Sequence, residues 1–335
     1  MMIPCCFHPT RVVVIDDHDR FLRRLDSNLS YLQATYLYYT NPDKALGFLN
    51  TQELNPFTRR YIRNVDEEAW EHRRLDINVC DLHNEIYRPE RFNEISVVVV
   101  DYSMPDMNGL EFCQQLNNPH IQKILLTGEA DEEIAVRAFN QGLIHQYIRK
   151  QAPDMVECLQ RAIDGCQVSY FAKLSKVMIE AITAVHVVDH ALTDQHFQGF
   201  FKTLMRENNF LEAYLCETMG SFLFLDEGGH ATGLVVNTKE QQDVWLDSTR
   251  ADHIQPQLLQ ALKARQKMMV YHSREGDLEP EAEDWEKHAH DPQQLQGIKT
   301  LYSYVLAPNL FDINAHEVLS FAQFKKNSPC HTQTV

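Results

Sequence analysis

Two runs of β-branched residues that each stop on aspartate constrain this chain more than any other feature. Val12–Ile15 is followed by Asp16 and Asp17, and Val97–Val100 is followed by Asp101. A strand apolar at every position is buried on both faces, the condition of a central strand in a parallel sheet covered by helices on both sides. The intervals between such runs carry helical periodicity, which completes the pattern of a doubly wound α/β fold.

The spacing predicts strands over Arg11–Ile15, Thr35–Tyr39, Ser96–Val100, Lys123–Thr127 and Ile144–Ile148. Phe21, Leu22, Leu25 and Leu29 repeat as one face of a helix, and Asn41-Pro42-Asp43 opens another that runs through Phe48. Proline suits a first helical turn, where its missing N–H costs nothing. Leu110–Leu116 and Glu132–Phe139 read as helices, the latter closed by Gly142, and a further helix starts at Asp154 with little to stop it before Val187. Five β/α units result. One crossover is far longer than the dozen residues a parallel connection needs. Its extra part, about residues 50–94, is rich in Arg, Glu, Asn and His, carries Tyr61, Trp70 and Tyr87, and reads as helical from Asp66 to Leu75. A surface elaboration and a dimerisation or partner surface are equally open readings of it.

The second half differs in kind. Ser169–Val187 and His196–Met219 read as helical, with Phe197, Phe200, Phe201 and Leu204 on one face. Ser221–Leu225 and Thr232–Val236 flank Asp226-Glu227-Gly228-Gly229, a hairpin signal. Met268–His272, Thr300–Leu306 and Glu317–Phe324 are further strand candidates, separated by an acidic, helix-like stretch at Glu279–Lys287. Helices ahead of a mostly antiparallel sheet give an α+β domain, with a boundary near residue 168.

The chemistry sits at strand ends. Asp16 and Asp17 follow the first strand, Asp101 the third, Thr127 ends the fourth and Lys150 lies just past the fifth. The carboxyl ends of an open parallel sheet face one crevice, where ligands bind. Three carboxylates there repel one another unless a hard divalent cation neutralises them, which implies Mg²⁺. A carboxylate beside such an ion can attack phosphorus in line, making an aspartyl phosphate accessible. Solvated loops are the bland alternative, since Asp and Thr are common there; five polar groups at corresponding ends argue against it.

On these motifs, residues 10–168 resemble the receiver domain of two-component response regulators. The matching segments are Val-Val-Val-Ile-Asp16-Asp17, Val-Val-Val-Val-Asp101-Tyr-Ser-Met-Pro105-Asp-Met-Asn-Gly109, Ile-Leu-Leu-Thr127-Gly128 and Tyr147-Ile-Arg-Lys150. The resemblance implies a flavodoxin-like (βα)5 fold with Asp101 as phosphoacceptor. It implies Mg²⁺ held by Asp17 directly, by Asp16 through water, by Asp101 and by the Ser103 backbone carbonyl. Thr127 and Lys150 would contact the phosphoryl group, and Tyr147 would be the aromatic whose rotamer follows Thr127. A sensor histidine kinase is the implied partner. Two departures stand out: Gln151 replaces the usual proline after the lysine, with Pro153 nearby, and the insertion puts the dimer mode in doubt. The whole layout is similar to regulators of Legionella-type α-hydroxyketone quorum-sensing systems.

Charge limits the output. The chain carries 31 Lys plus Arg against 47 Asp plus Glu, a formal charge of -16, and residues 170–335 carry 14 against 22. That balance repels polyphosphate, so direct DNA binding is not expected. Residues 219–326 resemble a PAS-type α+β fold, and the output is expected to act by protein or ligand binding with homodimerisation. A receiver-controlled enzyme acting on nucleotides is the alternative, although no P-loop, Gly-Gly-Asp/Glu-Glu-Phe or His-Asp signature is present and no catalytic residue is assigned there. His186 and His190 are four apart on an expected helix, a metal-compatible spacing that ordinary helix histidines share, and His288 and His290 read as a solvated loop. Cys5, Cys6, Cys80, Cys113, Cys158, Cys166, Cys216 and Cys330 form no C-x-x-C pair. Met1–Thr10 does not read as a secretion signal, and no apolar run reaches membrane-spanning length. A cytoplasmic protein with reduced thiols and a disordered tail from Ser328 is expected.

Overall fold

The computed structural model describes residues 2–29, 33–53, 56–64, 75–128, 132–184, 190–248, 254–270 and 285–327. Five parallel strands form the first sheet: β1 (Thr10–Ile15), β2 (Ala34–Tyr39), β3 (Ile95–Asp101), β4 (Gln122–Thr127) and β5 (Gln146–Arg149), in the order β2-β1-β3-β4-β5. All seven residues of β3 are buried. Alternate side chains leave opposite faces of a strand. Val12, Val14, Val97 and Val99 therefore pack with Leu22, Leu25 and Leu29 of α1 (Asp19–Leu29) and with Leu159 and Ile163 of α5 (Met155–Ala184). Val13, Ile15, Val98 and Val100 meet Ala45, Leu46 and Leu49 of α2 (Pro42–Asn50) and Phe112 of α3 (Gly109–Gln115). Each such buried aliphatic contributes about 1.5 to 3 kcal/mol, and the double layer fixes which strand ends converge. The fourth helix, α4 (Glu132–Asn140), packs Ala135 and Ala138 beside Leu125.

Local chemistry starts these helices where the sequence indicates. The Asn41 side chain accepts the Lys44 N–H at 2.8 Å, with Pro42 in the first turn of α2. Asn108 and Glu111 form a reciprocal capping box on α3, which satisfies two otherwise orphaned N–H groups. Gly142, at φ 71°, ends α4. α5 runs 30 residues, about 45 Å at helical rise.

The insertion holds a helix at Pro56–Tyr61, paired short strands at Ile62–Asn64 and Leu75–Ile77, and 3-10 turns at Leu82–Tyr87 and Pro89–Asn93. Trp70 and most of the expected 66–75 helix lie outside the described residues, and Leu75 starts a strand instead.

By its contacts the chain forms two compact units. One holds the parallel sheet, with residues from Phe7 to Asp76 and from Arg88 to Lys176, and also the helix α9 (Phe321–Asn327). In it Phe321 and Phe324 meet Phe92 with ring centroids 5.2 and 5.1 Å apart. The other holds Ile77–Tyr87, Val177–Ser320 and the residues up to Cys6.

The second unit is α+β. It contains α6 (Gln195–Glu207), β6 (Phe210–Leu215), β7 (Phe222–Asp226), β8 (Ala231–Thr238), α7 (Lys239–Ser248), α8 (Pro256–Lys263), β9 (Gln293–Gln296) and β10 (Leu301–Pro308). Its six-stranded sheet runs Cys6–Phe7, β6, β7, β8, β10, β9. The expected β7–β8 hairpin is present, with Leu225 opposite Ala231 and Gly229 at φ 84°.

Four expectations are corrected. The helix predicted over His196–Met219 stops at Glu207. Asn209 takes a left-handed φ of 53° and β6 follows, buried at every position, so burial on both faces overrides the helix preference of Leu, Glu and Ala. Glu317–Phe324 is not a strand. It is a turn, closed by Glu317 N–H to the Asn314 carbonyl, followed by α9, whose buried Phe321 and Phe324 are spaced three apart as a helix requires. His288 and His290 do not lie in a free loop but in a 3-10 turn and a strand paired with Met268–Met269. His190 lies outside the expected helix, since α5 ends at Ala184, and it is buried, with Nδ1 accepting from Leu192 N–H at 3.2 Å and Nε2 2.5 Å from the Thr218 carbonyl. Both ring nitrogens are thus engaged. His186 and Cys330 lie outside the described residues, as do Tyr271, His272 and residues 279–284.

Candidate phosphoacceptor and metal site

The expected strand ends converge. Asp16 follows β1 directly, its N–H donating to the Tyr39 carbonyl at 3.1 Å, and its side chain is fully buried. Asp101 is the last residue of β3, aligned with Leu126 of β4. Lys150 follows β5 and donates its N–H to the Thr127 carbonyl at 3.0 Å. Its Nζ reaches between the strands, 2.6 Å from Asp16 Oδ2 and 2.8 Å from Asp101 Oδ2, and 4.9 Å from the Phe21 ring centre.

The loop after Asp101 turns on Gly109. A Cβ there would stand 2.5 Å from the Asp101 carbonyl oxygen and 2.8 Å from Leu125, so the close approach admits only glycine. The turn is closed by Gly109 N–H to the Tyr102 carbonyl at 3.0 Å. Ser103 lies exposed in this loop.

Asp17 is one-quarter exposed and accepts from His18 Nδ1 at 2.9 Å. Sequence reasoning did not single out His18; its only signal was its place directly after the two aspartates. Asp16 Oδ1 accepts the His18 N–H at 2.9 Å. Burial pushes the Asp16 carboxyl above its ordinary value, against the ion pair with Lys150 and the His18 N–H, and Asp101 pushes the same way as burial. Thr127 is buried, and its hydroxyl donates to the Ile148 carbonyl at a long 3.5 Å. Tyr147 is half-buried on β5 beside Phe139 of α4, with ring centroids 6.4 Å apart.

One donor atom from each of Asp16, Asp17, His18 and Asp101 lies within 4.8 Å of all the others. Three carboxylates balanced by one lysine form a set that a divalent cation with oxygen preference fits. When bound, such an ion supplies charge neutralisation and a fixed position for a phosphoryl oxygen.

Comparison with known proteins agrees with this geometry. A model of the response regulator receiver domain matches residues 55–164. The solved structure of the Legionella pneumophila response regulator LqsR is similar over 97% of this chain and 95% of its own, with 30% identity and a TM-score of 0.79. The chain belongs to the response regulators. As in a two-component regulator, the parallel sheet is a receiver domain, and receivers generally take phosphate from histidine kinases and bind Mg²⁺ in an acidic pocket. The hydrogenase transcriptional regulatory protein HoxA of Cupriavidus necator is 31% identical over 75 residues, which is 21% of this chain and only 16% of HoxA. A receiver domain protein of Clostridium thermocellum matches 47% of the chain at 22% identity and a TM-score of 0.32. The receiver model matches from residue 55 onward, although the receiver sheet starts at Thr10. The long insertion separates Asp16 and Asp17 in sequence from the strands they join in space. Among the described residues no helix is long and apolar enough to cross a membrane.

Proposed function

We propose that this response regulator is switched by phosphorylation of Asp101 by a sensor histidine kinase, with Mg²⁺ held by Asp16, Asp17, Asp101 and the Ser103 carbonyl. The observation that carries the reading is Lys150 Nζ, 2.8 Å from Asp101 at the C-terminal rim of the sheet. An Asp101 carboxylate oxygen attacks the phosphorus of phosphohistidine; the P–O bond forms as the P–N bond breaks, and the kinase imidazole leaves. Lys150, still paired to Asp16, exchanges its Asp101 contact for a phosphoryl oxygen.

Thr127 gives up little when its hydroxyl turns to the phosphoryl group, because its present bond to the Ile148 carbonyl is 3.5 Å long. Tyr147, next to Ile148, then repacks from its place beside Phe139. Phosphate shifts this equilibrium only by its preference for one state.

Residues 169–320 form the helical connector and output in this reading, while α9 belongs with the receiver. Their acidic balance favours a protein or small-ligand partner over direct DNA binding, and homodimerisation is the proposed means of signalling, in the cytoplasm. Similarity to LqsR supports a place in quorum sensing. The test is Asp101→Asn incubated with acetyl phosphate and resolved on a phosphate-affinity gel. The variant is expected to stay unmodified while keeping its wild-type melting profile; a phosphorylated Asp101→Asn would refute the assignment.

A further inference from the structure

At the other end of the parallel sheet, His145 immediately precedes β5 and has a partner at each ring nitrogen. Lys123 donates its backbone N–H to Nδ1 at 3.0 Å. A main-chain N–H can only donate, and a neutral imidazole carries one proton, so that proton sits on Nε2. Nε2 lies 2.9 Å from Nζ of Lys173, an exposed residue of α5. The second neighbour of this amine is oriented by the same logic. Gln122, buried at the start of β4, donates its Nε2 to the His120 carbonyl at 2.5 Å, which turns Oε1 toward Lys173 Nζ at 3.3 Å. Lys173 Nζ therefore has to accept from His145 and donate to Gln122. An ammonium has donors only, whereas an uncharged amine does both.

The surroundings agree with that count. Burial lowers the Lys173 amine from its ordinary value, with the Cys166 thiol opposing and the Lys123 ammonium adding to the effect. Burial, Lys173 and Lys123 hold His145 neutral, at about 4, and burial and Lys173 lower His120. No carboxylate is among the causes of these shifts. We propose that Lys173 is an acylation site, its amine nitrogen attacking the carbonyl carbon of a small acyl phosphate. The C–N bond forms as the bond from that carbon to the bridging oxygen breaks; phosphate leaves and carries off the surplus amine proton. The cationic setting draws an anionic acyl donor. The amide product fits the same neighbours, since its N–H still donates to Gln122 Oε1 while its new carbonyl oxygen accepts from His145 Nε2. This chemistry is separate from attack by Asp101, which is directed at phosphorus.

The test treats the full chain with a trace of isotopically labelled acetyl phosphate, from neutral to strongly alkaline pH. Acetylation is then completed with unlabelled reagent under denaturing conditions, and the isotope ratio at each lysine is read by mass spectrometry. Near neutral pH, Lys173 is expected to react about tenfold faster than the exposed Lys202 and Lys239, the difference that one unit of pKa makes, and its rate should level off at lower pH than theirs. His145→Asn keeps an oxygen to accept the Lys123 N–H but offers nothing to Nζ, so Lys173 should fall back to the rate of the other lysines. Equal labelling of Lys173, Lys202 and Lys239 in the wild-type chain overturns the proposal. So does fast labelling that persists undiminished in His145→Asn.

Discussion

Lys150 holds its Nζ 2.8 Å from Oδ2 of Asp101. The same ammonium lies 2.6 Å from Asp16 Oδ2, and the lysine side chain is only 19% exposed. One cation thus serves two buried carboxylates, and removing it leaves both uncompensated. Lys150→Ala is expected to lose about 3 kcal/mol of stability in chelator-treated buffer, with part restored by millimolar Mg²⁺ through preferential binding to the folded state. Urea unfolding with and without the ion checks both halves; equal stability of variant and wild type would contradict the ion-pair account.

Asp16 has the opposite effect on stability when no metal is bound. Burial raises its carboxyl above 3.8, so between that value and the raised one the folded state binds more protons than the unfolded state. Stability therefore falls as pH rises through this window, and the cost persists at neutral pH. Asp16→Asn should be more stable than wild type at pH 7 without metal, and the advantage should vanish below pH 3.8, where both side chains are neutral. Thermal unfolding across that range decides the matter, and a destabilised Asp16→Asn at pH 7 would reverse the sign.

Thr127 separates acceptance of phosphate from response to it. Its hydroxyl makes one long bond, to the Ile148 carbonyl, so Thr127→Ala should cost under about 1 kcal/mol of stability. The variant should still be labelled by acetyl phosphate yet fail to change its oligomeric mass on labelling, as read by light scattering. Wild-type behaviour in both assays would remove Thr127 from the switch.

Phe321 ties the far end of the sequence to the receiver. It is 1% exposed and packs against Phe92. Phe321→Ala should lower receiver stability by about 3 to 5 kcal/mol, and a chain stopped at Ser320 should behave likewise. Hydrogen exchange over β1 and β3 would report the loss, and unchanged protection there would show that α9 is dispensable.

The parts of this molecule buried on both faces and ending in a polar side chain were legible from sequence: β1, β3 and β4 carry their own signature, and the glycine of the Asp101 loop is where the backbone leaves no room for a Cβ. What escaped was governed by tertiary context. Phe210–Leu215 contains Leu, Glu and Ala, which suit a helix until neighbouring strands cover both faces, and only Asn209 marks the break. Phe321 and Phe324 read as a strand because their partner, Phe92, is more than two hundred residues away in sequence. His18 had no motif of its own, since its meaning comes from the distance between its ring and two carboxylates.

The membership of α9 in the receiver unit has a consequence for biosynthesis. Domains usually fold in order as they leave the ribosome, but here the first sheet awaits a helix more than two hundred residues beyond its third strand. Until Phe321 and Phe324 emerge, Phe92 lacks two of its aromatic neighbours, so the nascent receiver stays incomplete while the intervening residues are synthesised.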